Sequence, residues 1–337
     1  MPPQNELQAM FPIGSRVIHN PHGTAPGIDM DVPRRGRSPC RVFAFPGVPA
    51  ELFDMWNGSI AQAIREMPGR GRLIRRRKIH CFGAGEGQLE SMLPDLIRRG
   101  RQPTVGITAS KATITLRIAA EGETEAECDA AIRSTEATIR HCLGSLVFGE
   151  EDDELQHVVL RTLRERSETL ATVEWATAGM LADWLGHVDG ASGVYLGGFV
   201  TTDATTCRNL LGMHGEFIDR DSWAAAKKGT GSEPASANAA ENGGREVPVP
   251  LFPSEIEAFV RAMAVGCRER LGADYGLAVG PLPKADALTG EPPKIHVALA
   301  TKEGVRMLSV SIGLHPALHR IYCAKHALNL LRLARLA

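Results

Sequence analysis

The sequence has almost no net charge, no long apolar run and no paired cysteine motif. Its 38 Lys and Arg against 39 Asp and Glu give a formal charge of −1, which argues against a general polyanion-binding protein. No apolar run approaches the roughly 18 residues of a membrane span, and the N-terminus does not resemble a signal peptide. The seven cysteines form no C-x-x-C pair, which disfavours a disulfide scaffold or a zinc ribbon. These absences favour a soluble cytoplasmic protein of two or three domains with no membrane partner.

Common catalytic and cofactor motifs are also missing. There is no G-x-x-x-x-G-K-S/T phosphate loop and no G-x-S-x-G nucleophile elbow. Gly83–Gly87 is a glycine-rich turn, but Gln88 stands where a dinucleotide fingerprint needs its third glycine. His315, His319 and Cys323 have helical spacing that suits a metal, but no second ligand cluster accompanies them. The sequence therefore predicts neither a cofactor nor a metal site.

The first part of the chain is rich in proline and glycine. Residues 1–60 predict one strand at Arg41–Phe45, a helix from Ala50 to Trp56 and little else, which is too little for an independent core. The basic segment Arg65–Lys78 is interpreted as a linker or domain entry whose charges are solvated. No aromatic residues are interleaved there for base stacking, so we expect no specific nucleic-acid partner.

Hydrophobic periodicity organises the rest of the chain. Residues 79–148 predict an α+β domain with strands Ile79–Phe82 and Thr113–Ile118 and helices Gln88–Arg99 and Glu125–Leu143. From residue 151 helices and strands alternate, which is typical of a doubly wound α/β sheet. The predicted helices there are Leu155–Arg166, Thr177–Gly186, one opened by the capping box Ser254–Glu257, and Ala317–Leu333. The predicted strands are Thr169–Glu174, Val194–Val200, Tyr275–Val279, Ile295–Ala300 and Val305–Ile312.

These patterns suggest domains at 1–68, 69–150 and 151–337. Within the last of these, Lys227–Pro250 has almost no large apolar side chains. Such a segment buries too little surface to offset the entropy of ordering it, so the sequence predicts a disordered insertion at 227–250.

Several segments resemble the CinA family of competence/damage-inducible proteins, in family order. Ser254–Val279, Gly190–Gly198 and Leu210–Gly212 resemble its C-terminal domain. Gly83–Glu90, Pro103–Ile118 and Glu125–Leu143 resemble its KH-like middle domain, and Asn20–Gly27 and Phe45–Glu51 resemble loops of its molybdopterin-binding-like N-terminal domain. The resemblance implies a C-terminal three-layer α/β/α sandwich, preceded by a small α+β KH-like domain and a remnant of an α/β domain. It also implies hydrolysis of nicotinamide mononucleotide to nicotinate mononucleotide and ammonia.

The sequence departs from the family at its front. Most of the first α/β domain, including a glycine-rich phosphate loop with paired acidic residues, has no counterpart here. We expect either a start codon further upstream or a remnant that packs on something else. For this remnant the resemblance implies nucleotide-binding residues at Gly23, Thr24, Gly27, Pro46, Gly47 and Glu51.

The second departure concerns the amidase motifs. Where the family has Ala-Glu-Ser-Cys-Thr-Gly-Gly with a nucleophilic serine, this chain reads Val173-Glu-Trp-Ala-Thr-Ala-Gly179, which places Trp175 at the serine. Thr202 stands at a family tyrosine and Cys207 at the lysine that helps activate the serine. An indole offers only an N–H donor and cannot attack a carbonyl, and neither replacement recreates a lysine. Since catalytic groups act as a unit, the resemblance leaves no confident catalytic residue.

Other family positions persist in the C-terminal domain. The resemblance implies that a residual substrate pocket would use Glu174, Thr177, Gly179, Gly197, Gly198 and Gly280. A substitute catalytic set is an alternative, with Cys207 beside Thr177 and Asp203. A cysteine nucleophile needs a histidine partner, and His187 or His214 is the nearest in sequence.

Three functions stay open on this reasoning. The first is a non-catalytic nucleotide-binding or scaffolding protein, with a pyridine nucleotide as the expected ligand. The second is an active nicotinamide-nucleotide amidohydrolase with rearranged residues. The third is a nucleotide or pterin-nucleotide binder that uses Gly23–Gly27 and Pro46–Glu51. Exposed edges of a truncated sheet also favour a homodimer.

Overall fold

The protein is described here by a computed structural model that covers residues 10–67, 72–93, 95–98, 100–213, 253–282, 292–313 and 315–336. The predicted insertion at 227–250 lies outside these residues. The chain divides into two compact units, Met1–Arg72 and Leu73–Ala337. No helix among the described residues is both long and apolar enough to cross a membrane.

The first unit contains a small antiparallel sheet, in the order β1-β2-β3, followed by helix. Its elements are β1 (Arg16–Ile18), β2 (Gly27–Arg34), β3 (Arg37–Ala44), α1 (Pro49–Met55), a π-helical segment (Trp56–Ile60) and α2 (Ala61–Arg65). The prediction of a single strand was therefore wrong. Most positions of β2 and β3 are exposed or half-buried, so the two strands lack the apolar alternation that reveals a strand in sequence.

Ion pairs support this sheet where apolar contacts are few. Asp29 is buried and accepts hydrogen bonds from Arg16 on β1 and from Arg41 on β3. The apolar core of the unit is small, with Ile18, Met55 and Ile60 fully buried.

The second unit begins with a four-stranded antiparallel sheet in the order β5-β6-β4-β7. Its elements are β4 (Leu73–Cys81), α3 (Glu86–Met92), β5 (Thr104–Ser110), β6 (Thr113–Gly122), α4 (Glu125–Leu143) and β7 (Val147–Glu150). α4 has the bounds that were predicted, and Thr124 and Glu127 form a capping box at its start. The predicted helix 88–99 is shorter than expected, because Leu93 turns to an extended conformation before Pro94.

The second half of Arg65–Lys78 lies in β4, the first strand of the second unit, so the segment is a domain entry and not a linker throughout. Acidic side chains around the strand neutralise its basic ones. Arg75 pairs with Glu125 and Asp129, Arg77 with Glu136, Glu150 and Glu151, and Lys78 with Asp152. The sequence could not reveal these ion pairs, because the acidic partners lie 50 or more residues away. Arg77 and Glu150, for example, are 73 residues apart.

A five-stranded sheet follows, in the order β12-β11-β10-β8-β9. Its strands are β8 (Leu170–Glu174), β9 (Tyr195–Val200), β10 (Tyr275–Val279), β11 (Lys294–Ala300) and β12 (Val305–Ser311). One face packs against α5 (Leu155–Glu165), α6 (Met180–Gly186) and α9 (His319–Leu336), and the other against α7 (Ala204–Leu211) and α8 (Pro253–Leu271). This is the expected three-layer α/β/α sandwich, and the predicted fold class is confirmed.

A doubly wound sheet is mostly parallel, but this sheet is mixed. β8 runs parallel to β9 and β10, whereas β11 is antiparallel to both its neighbours. A short turn joins β11 to β12, closed by a hydrogen bond from the Thr301 N–H to the Gly304 carbonyl (2.8 Å). So short a connection permits only an antiparallel pair.

The two sheets of the second unit share packing. Phe82, directly after β4, and Phe148 on β7 belong to the apolar core of the five-stranded sheet. Arg332 of α9 is buried and donates to the carbonyl oxygens of Ser145 (2.5 Å) and Val147 (3.2 Å). The boundary predicted at 150/151 therefore runs beside shared packing, and the three predicted domain ranges stay predictions.

Candidate functional site

The carboxyl ends of β8, β9 and β10 meet at one edge of the five-stranded sheet. The Trp175 N–H donates to the Val279 carbonyl (3.0 Å), and the Ala176 N–H donates to the Gly280 carbonyl (3.2 Å). On the other side, the Thr201 N–H donates to the Glu174 carbonyl (3.0 Å). The structure thus brings Glu174, Trp175 and Gly280 together, at the position where open α/β sheets bind their ligands.

The indole of Trp175 is half-buried in an apolar cluster between the sheet and helices α7 and α8. Its ring meets the Phe259 ring edge-on, with centroids 6.1 Å apart and planes at 79°. The Arg208 guanidinium carbon lies 5.4 Å from the centroid of the same phenyl ring. The side chain at this turn is therefore a packing element with no lone pair for attack on a carbonyl.

Cys207 lies on α7 with its side chain fully buried. Burial raises the pKa of this thiol to about 12, so at neutral pH it is protonated and a poor nucleophile. Its expected neighbours do not activate it. The His187 ring is 83% exposed and contacts Asp183, and among the described residues no hydrogen bond joins Cys207 to a histidine. His214 lies outside the described residues.

Asp203 and Thr202 lie just before α7, and Asp203 caps this helix. Asp203 accepts a hydrogen bond from the Thr206 N–H (2.6 Å), which caps the helix and holds the pKa of the Asp203 carboxyl below its usual value. Thr202, at the family tyrosine, is exposed. Asp203 therefore serves the helix and is not aimed at a nucleophile.

The Glu174 carboxylate is fully buried, and its role is visible in its contacts. Oε2 accepts from the Leu181 N–H (2.9 Å) and Oε1 from the Ala182 N–H (2.8 Å), so the carboxylate satisfies the first turn of α6. Gly179 precedes this helix with φ +89°, and Ala178 before it has φ +49°. Glu174 and Gly179 are thus explained by the strand-to-helix turn itself.

Thr177 lies inside the same turn and is fully buried. Its Oγ1 has no hydrogen-bond partner among the described residues. Its carbonyl accepts from Arg320 of α9, through Nε at 3.1 Å and Nη2 at 2.9 Å. Sequence reasoning missed Arg320, because no motif or spacing connects it with the turn.

The remaining glycines of the predicted pocket have packing roles. At Gly197, φ is +121° where the register between β8 and β9 shifts, and a Cβ on Gly198 would overlap the Thr172 hydroxyl. A Cβ on Gly280 would collide with Val260. The backbone therefore requires these glycines whether or not a ligand binds.

In the first unit, Asn20 organises the residues predicted to bind a nucleotide. Its side-chain N–H donates to Glu51 Oε2 (2.8 Å), and its Oδ1 accepts from the Gly23 N–H (3.0 Å). A Cβ on Gly23 would clash with both side chains, while Gly27 packs closely against Ile18. No described hydrogen bond joins Thr24, Pro46 or Gly47 to this network. Only part of the predicted set is thus brought together.

His315 and Cys323, which share helical spacing in the sequence, both have roles within the fold. His315 accepts the Ala317 N–H (3.3 Å) at the start of a 3-10 turn, and Cys323 is buried in the core. No group of three metal-ligating side chains exists in the part of the chain that the structure describes.

Comparison with known proteins supports the resemblance drawn from the motifs. Residues 76–149 match the family model of the damage-inducible protein CinA KH domain, and residues 152–240 match that of the CinA C-terminal domain. A CinA-like protein of Frankia casuarinae is 32% identical over 98% of this chain and 69% of its own length. One of Prochlorococcus marinus is 32% identical over 92% of this chain and 64% of its own. The chain thus spans about two thirds of these relatives.

A solved structure of similar fold is a CinA superfamily protein from Escherichia coli. It covers 53% of this chain and 88% of its own length, with 19% sequence identity and a TM-score of 0.39.

Proposed function

The chain belongs to the CinA family, and on that premise we propose that it is a non-hydrolytic member whose C-terminal domain serves as a nucleotide-binding or scaffolding module. The observation that carries the proposal is the packing of the Trp175 indole against Phe259 at the turn where the family resemblance implies a serine nucleophile. An acyl-enzyme needs an accessible nucleophile beside a base. The indole has no lone pair for attack, and the Cys207 thiol is buried and has no hydrogen bond to a base among the described residues.

The geometry favours the scaffolding form of this proposal. Two residues that the family resemblance assigns to the pocket have structural roles. Glu174 caps α6, and Gly198 on β9 leaves room for the Thr172 side chain. Their retention therefore needs no ligand. If the domain does bind a nucleotide, it would use residues whose described contacts are all with other residues of the same domain.

Seven free thiols, five of them fully buried, suit the reducing interior of a cell, and we include a cytoplasmic location in the proposal. The domain ranges 1–68, 69–150 and 151–337 belong to it as well.

The deciding experiment is an amidase assay on the full chain. Purified protein is incubated with nicotinamide mononucleotide, and ammonia and nicotinate mononucleotide are measured against a protein-free blank. We expect no release above the blank. Turnover by the wild type would overturn the proposal, and its loss in Cys207→Ala would assign catalysis to rearranged residues.

A second measurement separates the two non-catalytic forms. Calorimetric titration with nicotinamide mononucleotide and with adenosine monophosphate should show no heat of binding if the domain is a scaffold. Saturable heat with the pyridine nucleotide, reduced in Trp175→Ala, would place the ligand at the old pocket and support the nucleotide-binding form.

A further inference from the structure

The edge strands of the described sheets differ in how they are protected from pairing with another chain. Natural edge strands are kept short, charged, bulged or interrupted by proline. β1 has three residues, β7 has four and carries Glu150, and β3 contains Pro39 between two arginines. β12 carries Arg306, and β9 has its register shift and the left-handed Gly197.

β5 has none of these devices. Its seven residues, Thr104 to Ser110, include no charge and no proline. It pairs with β6 in unbroken register along its whole length, and it is the outer strand of its sheet. Among the described residues its other edge has no strand partner, so that edge offers unpaired backbone donors and acceptors.

Most residues of β5 are exposed, with exposed residues on both faces of the strand. On the face turned away from the helices lie four small exposed residues, Thr104, Gly106, Thr108 and Ser110. On the helix face, Val105 is buried, but Ile107 is only half-buried and Ala109 is exposed. α3 contacts β5 on this side, and its Met92 is 38% exposed. Ile107 and Ala109 therefore leave accessible apolar surface on the helix face of β5.

The strand is complementary to itself. In an antiparallel pair centred on Ile107, Thr104 faces Ser110 and Gly106 faces Thr108, so small polar residues meet small ones. On the other face Val105 meets Ala109, and Ile107 meets its own counterpart. No like charges come together, and the arrangement is the isologous contact of a two-fold dimer.

We propose that β5 pairs antiparallel with β5 of a second copy of this chain, about a two-fold axis at Ile107, and joins two four-stranded sheets into one. The half-buried Ile107 and the exposed Ala109 supply the apolar surface buried with the strand pair. The proposal is independent of whether the C-terminal domain binds a nucleotide.

The test uses the full chain in sedimentation equilibrium from low micromolar concentration to the solubility limit. We expect a reversible dimer with twice the 36.3 kDa chain mass. Thr108→Lys puts an ammonium group on the exposed face of each β5, close to the same group on the second copy. Since like charges on neighbouring strands repel, we expect the dissociation constant to rise about ten-fold or more.

A matched control and a rescue make the result specific. Ser134→Lys adds the same charge to an exposed site on α4 of the same domain and should leave dimerisation unchanged. Thr108→Glu alone should weaken the dimer, and a mixture of the Thr108→Lys and Thr108→Glu proteins should restore it. Melting curves establish that each variant is folded.

A wild type with the mass of one chain at every concentration would overturn the proposal. So would a dimer that Thr108→Lys leaves intact, since another surface would then hold it together.

Discussion

The guanidinium of Arg320 holds the backbone carbonyl of Thr177, 143 residues earlier in the chain, with two hydrogen bonds of 3.1 and 2.9 Å. A third, from Nη2 to the Ala178 carbonyl, measures 3.2 Å. The last helix therefore fixes the turn at the carboxyl end of β8, although no motif joins the two segments.

Removing this clamp should cost stability. We expect Arg320→Ala to lower the free energy of unfolding by about 1–2 kcal/mol, the range for a partly exposed charged hydrogen-bond donor. Arg320→Lys should recover only part of the loss, because an ammonium group cannot make the forked contact. Urea unfolding followed by circular dichroism measures both. Arg306→Ala, an exposed arginine outside this turn, should change stability little, and an equal loss there would contradict the assignment.

Ala178 occupies a left-handed backbone conformation, with φ +49°. Such a conformation costs an L-residue about 1–2 kcal/mol, whereas glycine adopts it freely. We therefore expect Ala178→Gly to stabilise the protein by about 0.5–1 kcal/mol once the larger entropy of the unfolded glycine is subtracted. The opposite exchange next to it, Gly179→Ala at φ +89°, should destabilise, and both can be measured by thermal melting. Equal effects of the two variants would contradict this account.

The two carboxylate oxygens of Glu174 accept hydrogen bonds from backbone N–H groups in the first turn of α6. In Glu174→Gln one oxygen becomes an amide NH2 donor that faces a backbone N–H, so we expect a loss of about 2–3 kcal/mol in the free energy of unfolding. Denaturant titration measures it. Glu165→Gln, on the exposed end of α5, is the matched control and should stay within about 0.5 kcal/mol of wild type. A Glu174→Gln protein of unchanged stability would show that the carboxylate is free for another role.

The cysteines should differ sharply in reactivity. Cys40 is exposed, whereas Cys207 is buried and burial raises its pKa to about 12. In the native protein we expect Cys40 to react rapidly with a disulfide reagent at pH 8, and Cys207 only after unfolding. Labelling followed by peptide mass spectrometry identifies each thiol, and Cys40→Ala should remove the fast phase. Rapid labelling of Cys207 in the folded protein would revive it as a nucleophile.

Asp29 should make the first unit sensitive to acid. Hydrogen bonds from Arg41 and then Arg16 hold the pKa of the Asp29 carboxyl well below its usual range. The folded state therefore favours the ionised form. The resulting stabilisation is present above the unfolded pKa of about 3.9 and is lost as the pH falls below it toward the depressed value.

The experiment compares wild type with Asp29→Asn by hydrogen exchange in β2 and β3. At pH 7 the variant should show less protection, and the difference should shrink below about pH 4. Asp152→Asn, whose side chain is 96% exposed, should show no such difference. A difference that persists unchanged in acid would contradict the assigned role of the carboxylate.

Local patterns predicted the elements that local interactions determine. α4 and β10 were placed at their observed ends, because a capping box and a short buried run each carry their own signal. β1, β2, β5 and β7 were missed. The stability of these strands depends on partners distant in sequence or on exposed polar faces. Their sequences therefore lack the alternation of apolar and polar residues that predicts a strand.

For the candidate site, the family resemblance grouped Glu174 and Gly280 in one predicted pocket and put Trp175 at the nucleophile position, and the structure shows that all three lie at adjoining strand ends. It could not assign Glu174 to the cap of α6, Cys207 to the buried core, or Arg320 to the turn. Each assignment depends on which groups surround a side chain in space, and those groups come from separate helices.

The order of residues alone was enough to establish the family and the α/β class, because motif spacing and hydrophobic periodicity are properties of the linear chain. The tertiary structure decided which of the family-like residues have structural hydrogen bonds or packing contacts. It also decided which strand edge has no strand partner among the described residues. Burial, backbone strain and hydrogen-bond satisfaction exist only once distant segments are packed together, as Thr177 and Arg320 are here.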